Sequence, residues 1–228
     1  MVFAPYPVAT DVKQRLGHGM QLDIPVIGIL RGIQAEFFGR LMTAAMDADL
    51  QALEVTMNTP SAERMVASQC EQVPAGKYLG MGTIRNLEEA RRAVDAGAMF
   101  LVTPNLDDKV IDFGLSRRIP VIAGAFTPTE VYNAWSAGAA MVKVFPCSQV
   151  GPSYIRDLRG PLDHIPLVAV GGVDSQNGRA YLDAGAEALG VGSSLFGRTA
   201  LAQQDPLAAA RNVQGFIQQV TGRTHGQP

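Results

Sequence analysis

The stretch "SAGAAMVKV" (136–144) has three counterparts in the chain, "DADLQALEV" (47–55), "DAGAMFLVT" (95–103) and "DAGAEALGV" (183–191). Each ends a helical pattern at a small residue, usually glycine, and then enters a short apolar run. Runs of that kind recur along the chain as strand candidates: "PVIGIL" (25–30), "ALEVT" (52–56), "YLGMG" (78–82), "FLVT" (100–103), "PVIAG" (120–124), "MVKVF" (141–145), "LVAVG" (167–171) and "LGVG" (189–192). Amphipathic segments such as "AEFFGRLMTAAMDA" (35–48) and "NLEEARRAVDAG" (86–97) lie between them. Strands alternating with helices imply βαβ units and a parallel sheet. Eight such units predict a single-domain (β/α)8 TIM barrel over residues 1–228, with an open doubly wound sheet as the rival. Residues 1–24 precede the first strand, "LAAARNVQGFIQQV" (207–220) reads as the closing helix, and "TGRTHGQP" (221–228) as a frayed tail.

The four related segments precede strands 2, 4, 6 and 8, so the repeat period is two βα units. Counting seven residues on from the first residue of each gives Glu54, Val102, Lys143 and Gly190. Equivalent positions on alternate strands form one layer of side chains inside such a barrel. Glu54 and Lys143 therefore point inward at similar depth, with Val102 as an apolar wall and Gly190 as a gap. Turning the lysine outward needs a register shift of one residue, which inverts the whole strand. The competing reading is a lysine that snorkels to the strand's end.

A chain of 228 residues that is 47% hydrophobic and 18% charged has ample material for one core. Its net charge of −2 gives no electrostatic case for a nucleic-acid or anionic-membrane partner. The positive charge comes from 15 arginines and four lysines (Lys13, Lys77, Lys109 and Lys143), and only Lys143 interrupts an apolar run. Cys70 and Cys147 have no CxxC partner, the N-terminus lacks a signal-peptide pattern, and no apolar run reaches the roughly 18 residues of a membrane span. A reducing cytoplasm is expected. His18, His164 and His225 are scattered without ligand spacing, so no metal site is expected.

An inward lysine beside an inward carboxylate, between apolar walls, suits amine catalysis. Desolvation lowers the lysine's pKa and frees a nucleophilic amine, while Glu54 moves protons. A buried ion pair without chemistry is the alternative. "AVGGV" (169–173) and "GVGSSLF" (190–196) place glycines at the ends of strands 7 and 8, each before a helix. Backbone amides of Gly171, Gly172, Ser193 and Ser194 could cradle a phosphate there; tight turns without a ligand are the alternative. Other strand ends carry Arg31, Thr83, Pro104, Asn105 and Thr127. Arg31 suits a carboxylate held by two hydrogen bonds or a rim salt bridge; Thr83 and Thr127 suit substrate oxygens or helix caps. Cys147 reads as a packing residue, Trp135 as core or interface.

"EVTMNTP" (54–60), "GMGTIRN" (80–86), "VTPN" (102–105), "GAAMVKVFP" (138–146), "VGGV" (170–173) and "VGSSLF" (191–196) resemble, in this order, the class I KDPG/KHG aldolases. The resemblance implies a barrel, commonly trimeric, that forms a covalent imine with pyruvate and needs no metal or other cofactor. It implies cleavage of a phosphorylated 2-keto-3-deoxy sugar acid to pyruvate and D-glyceraldehyde 3-phosphate. Lys143 is then the Schiff-base lysine and Glu54 the proton shuttle. Thr83 and Pro104 line the pyruvate end, Phe145 packs beside the imine, and Gly171, Gly172 and Ser194 match the phosphate site. Gluconate-type members carry arginine in "E-x-T-L-R-T" where this chain has Asn58. "LRGI" (30–33), Asn58, "VTPN" and "FPCSQVGPSYIRDL" (145–158) are closer to the branch acting on 2-keto-3-deoxy-6-phosphogalactonate, in which Arg31 could take over the carboxylate, with Asn58 as the other substrate-binding candidate for it. The alternatives are the gluconate or 4-hydroxy-2-oxoglutarate substrate, a phosphosugar isomerase or epimerase without imine chemistry, and a binding protein that has lost activity.

Overall fold

A computed structural model describes residues 20–223. Lys13, His18 and His225, most of the segment before the first strand, and the tail from 224 on lie outside the described residues. Within them the strands are β1 (Val26–Leu30), β2 (Ala52–Thr56), β3 (Tyr78–Gly82), β4 (Leu101–Val102), β5 (Val121–Ala125), β6 (Met141–Val144), β7 (Leu167–Val170) and β8 (Ala188–Val191). Each is followed by a helix: α1 (Ala35–Asp47), α2 (Ala62–Gln69), α3 (Leu87–Asp95), α4 (Asp108–Arg117), α5 (Pro128–Ser136), α6 (Gly151–Arg159), α7 (Gly178–Asp183) and α8 (Ser193–Phe196). Two more α-helices, α9 (Arg198–Ala202) and α10 (Pro206–Thr221), follow among the described residues. The strands close in sequence order into a parallel barrel, with β8 bonded to β1, so the open-sheet alternative is excluded.

The repeat has a local cause. Gly97, Gly138 and Gly185 all sit at φ near 100°, which is 94°, 103° and 100° respectively, and turn the chain out of α3, α5 and α7. Asp49 takes the same place after α1 at φ 69°, in the left-handed region that aspartate tolerates better than most side chains. Strand ends differ from expectation by a residue or so; β4 shrinks most, to Leu101–Val102.

Two apolar layers result. The larger lies between the barrel and its helices, where Phe37, Phe38, Leu41, Leu53, Val142 and Leu189 are fully buried. The smaller fills the barrel itself with Ala52, Phe100, Ile122, Met141, Val168 and Ala188. Met20 and Leu22, ahead of β1, pack onto this interior and close its lower end. Trp135 packs against the outer layer, its ring edge-on to His164 at 6.4 Å.

Candidate active site

On β2 the residues Ala52 and Glu54 share the inward face, and on β6 so do Met141 and Lys143. Both charged residues stand one strand step above Ala52 and Met141, with Val102 of the same interior cluster as the apolar wall of their layer. They are nearly enclosed, Glu54 being 2% and Lys143 7% exposed. Space for the carboxyl comes from Gly82, the last residue of β3, where a Cβ would lie 2.4 Å from Glu54 Oε1. Gly124 does the same for β5: a Cβ there would meet the Pro104 backbone at 2.3 Å, so its absence lets the loop after β4 lean inward. The gap expected at Gly190 is instead taken up by neighbours. A Cβ there would strike Val170 Cγ2 at 2.7 Å and Ile29 Cδ1 at 3.3 Å.

Burial pushes the Glu54 carboxyl up to about 7, against the opposing pull of the Lys143 and Arg31 charges. Burial also pushes the Lys143 ammonium down; the Glu54 charge resists this and the Arg31 charge adds to it. Near neutral pH the amine is thus more available than in water, and the carboxyl can carry or release a proton. Glu54 Oε2 is buried with no hydrogen-bond partner among the described residues. An unspent acceptor beside an amine is costly in a folded core and is what a water or substrate hydroxyl would satisfy. Lys143 Nζ also lies over the Phe145 ring, 4.9 Å from its centre.

These groups open onto a cavity of about 980 Å³ at the C-terminal end of the barrel. Arg31, Thr83, Pro104, Phe145, Gly171, Gly172, Ser193 and Ser194 line it together with Glu54 and Lys143. Thr83 holds φ 57°, an unusual conformation for a β-branched residue, and its Oγ1 accepts a long 3.5 Å hydrogen bond from Arg31 Nη2. Gly171 and Gly172 are consecutive left-handed residues, φ 98° and 73°, which turn the chain back at the end of β7. Asn177 braces that turn: its Nδ2 donates to Gly172 O at 2.8 Å and its Oδ1 accepts from Asp174 N at 3.0 Å. Ser194 Oγ donates to Val173 O at 2.9 Å, tying the start of α8 to the same turn.

Two expected site residues are not brought in. Asn58 is exposed on the loop after β2 and is absent from the cavity lining. Thr127 is spent on a capping box for α5, its Oγ1 accepting from Glu130 N while Glu130 Oε2 accepts from Thr127 N at 2.8 Å. That is the helix-cap alternative, which such a threonine satisfies locally. Conversely, Gln34, Asp174, Arg198 and Gln204 line the cavity without having been singled out. Only Arg198 had a signal, as a cation just beyond the "VGSSLF" turn. Cys147 donates from Sγ to Val144 O at 3.2 Å, and burial pushes its thiol up to about 11, as suits a packing residue. Among the described residues no three His, Cys, Asp or Glu side chains cluster as metal ligands, and no helix is long and apolar enough to cross a membrane.

A family model described as KDPG and KHG aldolase matches residues 20–211. A probable 2-dehydro-3-deoxy-6-phosphogalactonate aldolase of Rhizobium meliloti is 34% identical over 176 residues, 77% of this chain and 83% of its own. The 2-dehydro-3-deoxy-6-phosphogalactonate aldolase of Escherichia coli is 32% identical over 201 residues, 88% of this chain and 98% of its own. A solved structure titled native KDPGal superimposes with a TM-score of 0.77 at 32% identity, covering 87% of this chain and 98% of that one.

Proposed function

Because the chain belongs to the KDPG and KHG aldolase family, we propose that it works as a class I, Schiff-base enzyme. The substrate of this reading is 2-dehydro-3-deoxy-6-phosphogalactonate, and the products are pyruvate and D-glyceraldehyde 3-phosphate. The observation that carries it is a buried amine, lowered in basicity, sharing one cavity with a buried carboxyl whose Oε2 is unpartnered among the described residues.

Neutral Lys143 Nζ adds to the C2 ketone, and Glu54 gives up its proton as water leaves the carbinolamine, which leaves a cationic imine facing the Glu54 carboxylate. The electron pair of the C3–C4 bond moves onto that cation while the C4 hydroxyl proton passes, through a water, to Glu54. Glyceraldehyde 3-phosphate departs, the enamine takes its proton back at C3 from Glu54, and water hydrolyses the imine to release pyruvate. Arg31 faces the substrate carboxylate, which leaves Asn58 without that task. The turns at Gly171, Gly172, Ser193 and Ser194 receive the phosphate, and Thr83 and Pro104 border the pyruvate end. The galactonate preference is supported by Asn58 in place of arginine and by the names of the two relatives. A homotrimer in the cytoplasm, with Cys70 and Cys147 as free thiols, belongs to the same reading.

Borohydride reduction in the presence of pyruvate should leave a stable adduct on Lys143, read by peptide mass spectrometry. An active protein without that adduct would refute the imine and favour the isomerase or epimerase chemistry. Cleavage rates on the galactonate and gluconate epimers, compared as kcat/KM, test the substrate assignment; a preference for the gluconate epimer reverses it.

A further inference from the structure

The loop that carries Arg31 is held in an unusual way. Gly32 sits at φ 66° with nothing among the described residues within 4 Å of where a Cβ would be, so no neighbour packs on that side of it. Its amide instead donates to Thr59 Oγ1 at 2.9 Å, from a loop 27 residues further along the chain. Thr59 is 3% exposed, and its hydroxyl lies 3.0 Å from the hydroxyl of Thr56, which is fully buried at the end of β2. The turn between them is closed by Thr59 N donating to Thr56 O at 2.8 Å. A threonine just before a helix commonly caps it, but among the described residues α2 receives no side-chain cap, and the Thr59 hydroxyl serves the neighbouring loop.

We infer that the Thr56–Thr59 hydroxyl pair is a positioning device for Arg31, setting where its guanidinium meets the substrate carboxylate. The inference rests on the reading of Arg31 as the carboxylate anchor. Arg31 is exposed and its recorded side-chain bond, to Thr83, is long at 3.5 Å, so its placement depends on where the backbone emerges. Thr59 fixes that emergence one residue beyond Arg31. Because Thr56 follows Glu54 by two residues on β2, one strand end then sets both the proton shuttle and the loop bearing the carboxylate anchor.

Thr59→Val keeps the shape and removes the acceptor. It should raise the half-saturating pyruvate concentration for borohydride trapping, and the KM for the phosphorylated substrate, by roughly three- to tenfold, the worth of one hydrogen bond. Turnover at saturation should stay within about twofold, since Lys143 and Glu54 are untouched. Thr59→Ser should restore the parental values. In an Arg31→Gln background Thr59→Val should add nothing, because the residue it positions is gone. Thr56→Val, which removes only the second hydroxyl, should move half-saturation in the same direction by less and serves if Thr59→Val does not fold. If Arg31→Gln raises half-saturation but neither threonine variant does, or if Thr59→Val acts equally in both backgrounds, the positioning role is wrong. If Arg31→Gln itself leaves half-saturation unchanged, the anchor reading fails and the positioning role falls with it.

Discussion

Met141 and Lys143 stand two residues apart on β6, as Ala52 and Glu54 do on β2, yet the barrel interior changes character between them. The lower level is apolar, closed beneath by Met20 and Leu22, and made of side chains in mutual contact. The upper level sets against the apolar Val102 a carboxyl and an amine, both displaced from their ordinary pKa by burial, with an acceptor oxygen left unpaired among the described residues. The same strands, in the same register, supply both. The lower level lends stability that the upper one spends, since a buried, incompletely paired charge weakens a fold while preparing it for chemistry. Stability and reactivity in this barrel are thus separated by about one pleat of strand.

The largest test of that separation is Lys143→Ala. Loss of the nucleophile should lower kcat/KM by at least about 10⁴-fold and abolish pyruvate trapping. The melting temperature should fall little, because the amine is already poorly accommodated. Phe100→Ala attacks the lower level instead and should cost about 3–5 kcal/mol in denaturant unfolding. Whatever fraction folds should still trap pyruvate on Lys143. Loss of trapping in that folded fraction would show that the two levels are not separable.

Glu54→Gln should slow turnover by roughly 10²- to 10³-fold in steady-state assays while pyruvate still binds. Full turnover would remove the carboxyl from the mechanism. The same variant has a smaller signature in stability. The folded Glu54 holds its proton up to about 7 whereas the unfolded chain loses it near 4.5, so between those values the folded state binds more protons. Stability contributed at this site therefore falls as pH rises through that window. Relative to the parent, Glu54→Gln should gain melting temperature progressively from pH 4.5 to 7, by an equivalent of roughly 1–3 kcal/mol, and show no such gain below pH 4.5. A flat difference across the window would mean that Glu54 is paired in solution.

Much of this site was legible in the residues because it follows strand parity. The helix-to-strand repeat, carried by Gly97, Gly138 and Gly185, put Glu54 and Lys143 at matching positions on alternate strands, and a barrel turns matching positions to one interior layer. The glycines at 171 and 172 likewise announced a turn that only left-handed backbone can make. What could not be read were the choices made between loops. Thr127 and Thr59 are both threonines just past a strand end, yet one caps its own helix and the other reaches Gly32 in a different loop. Asn58 and Arg31 both emerge near the mouth, and only Arg31 lines the cavity.

The sequence by itself determined eight strands alternating with helices and, on strands 2, 4, 6 and 8, the matching positions that set an acid and an amine at one height, because the two-residue alternation of a strand and the capping of a helix are local properties. Only the tertiary structure decided which polar groups at the strand ends reach the cavity, which serve as caps and which hold a neighbouring loop. Those outcomes depend on distances between segments that the closing of the barrel brings together, and a hydrogen bond across 27 residues has no local pattern to announce it.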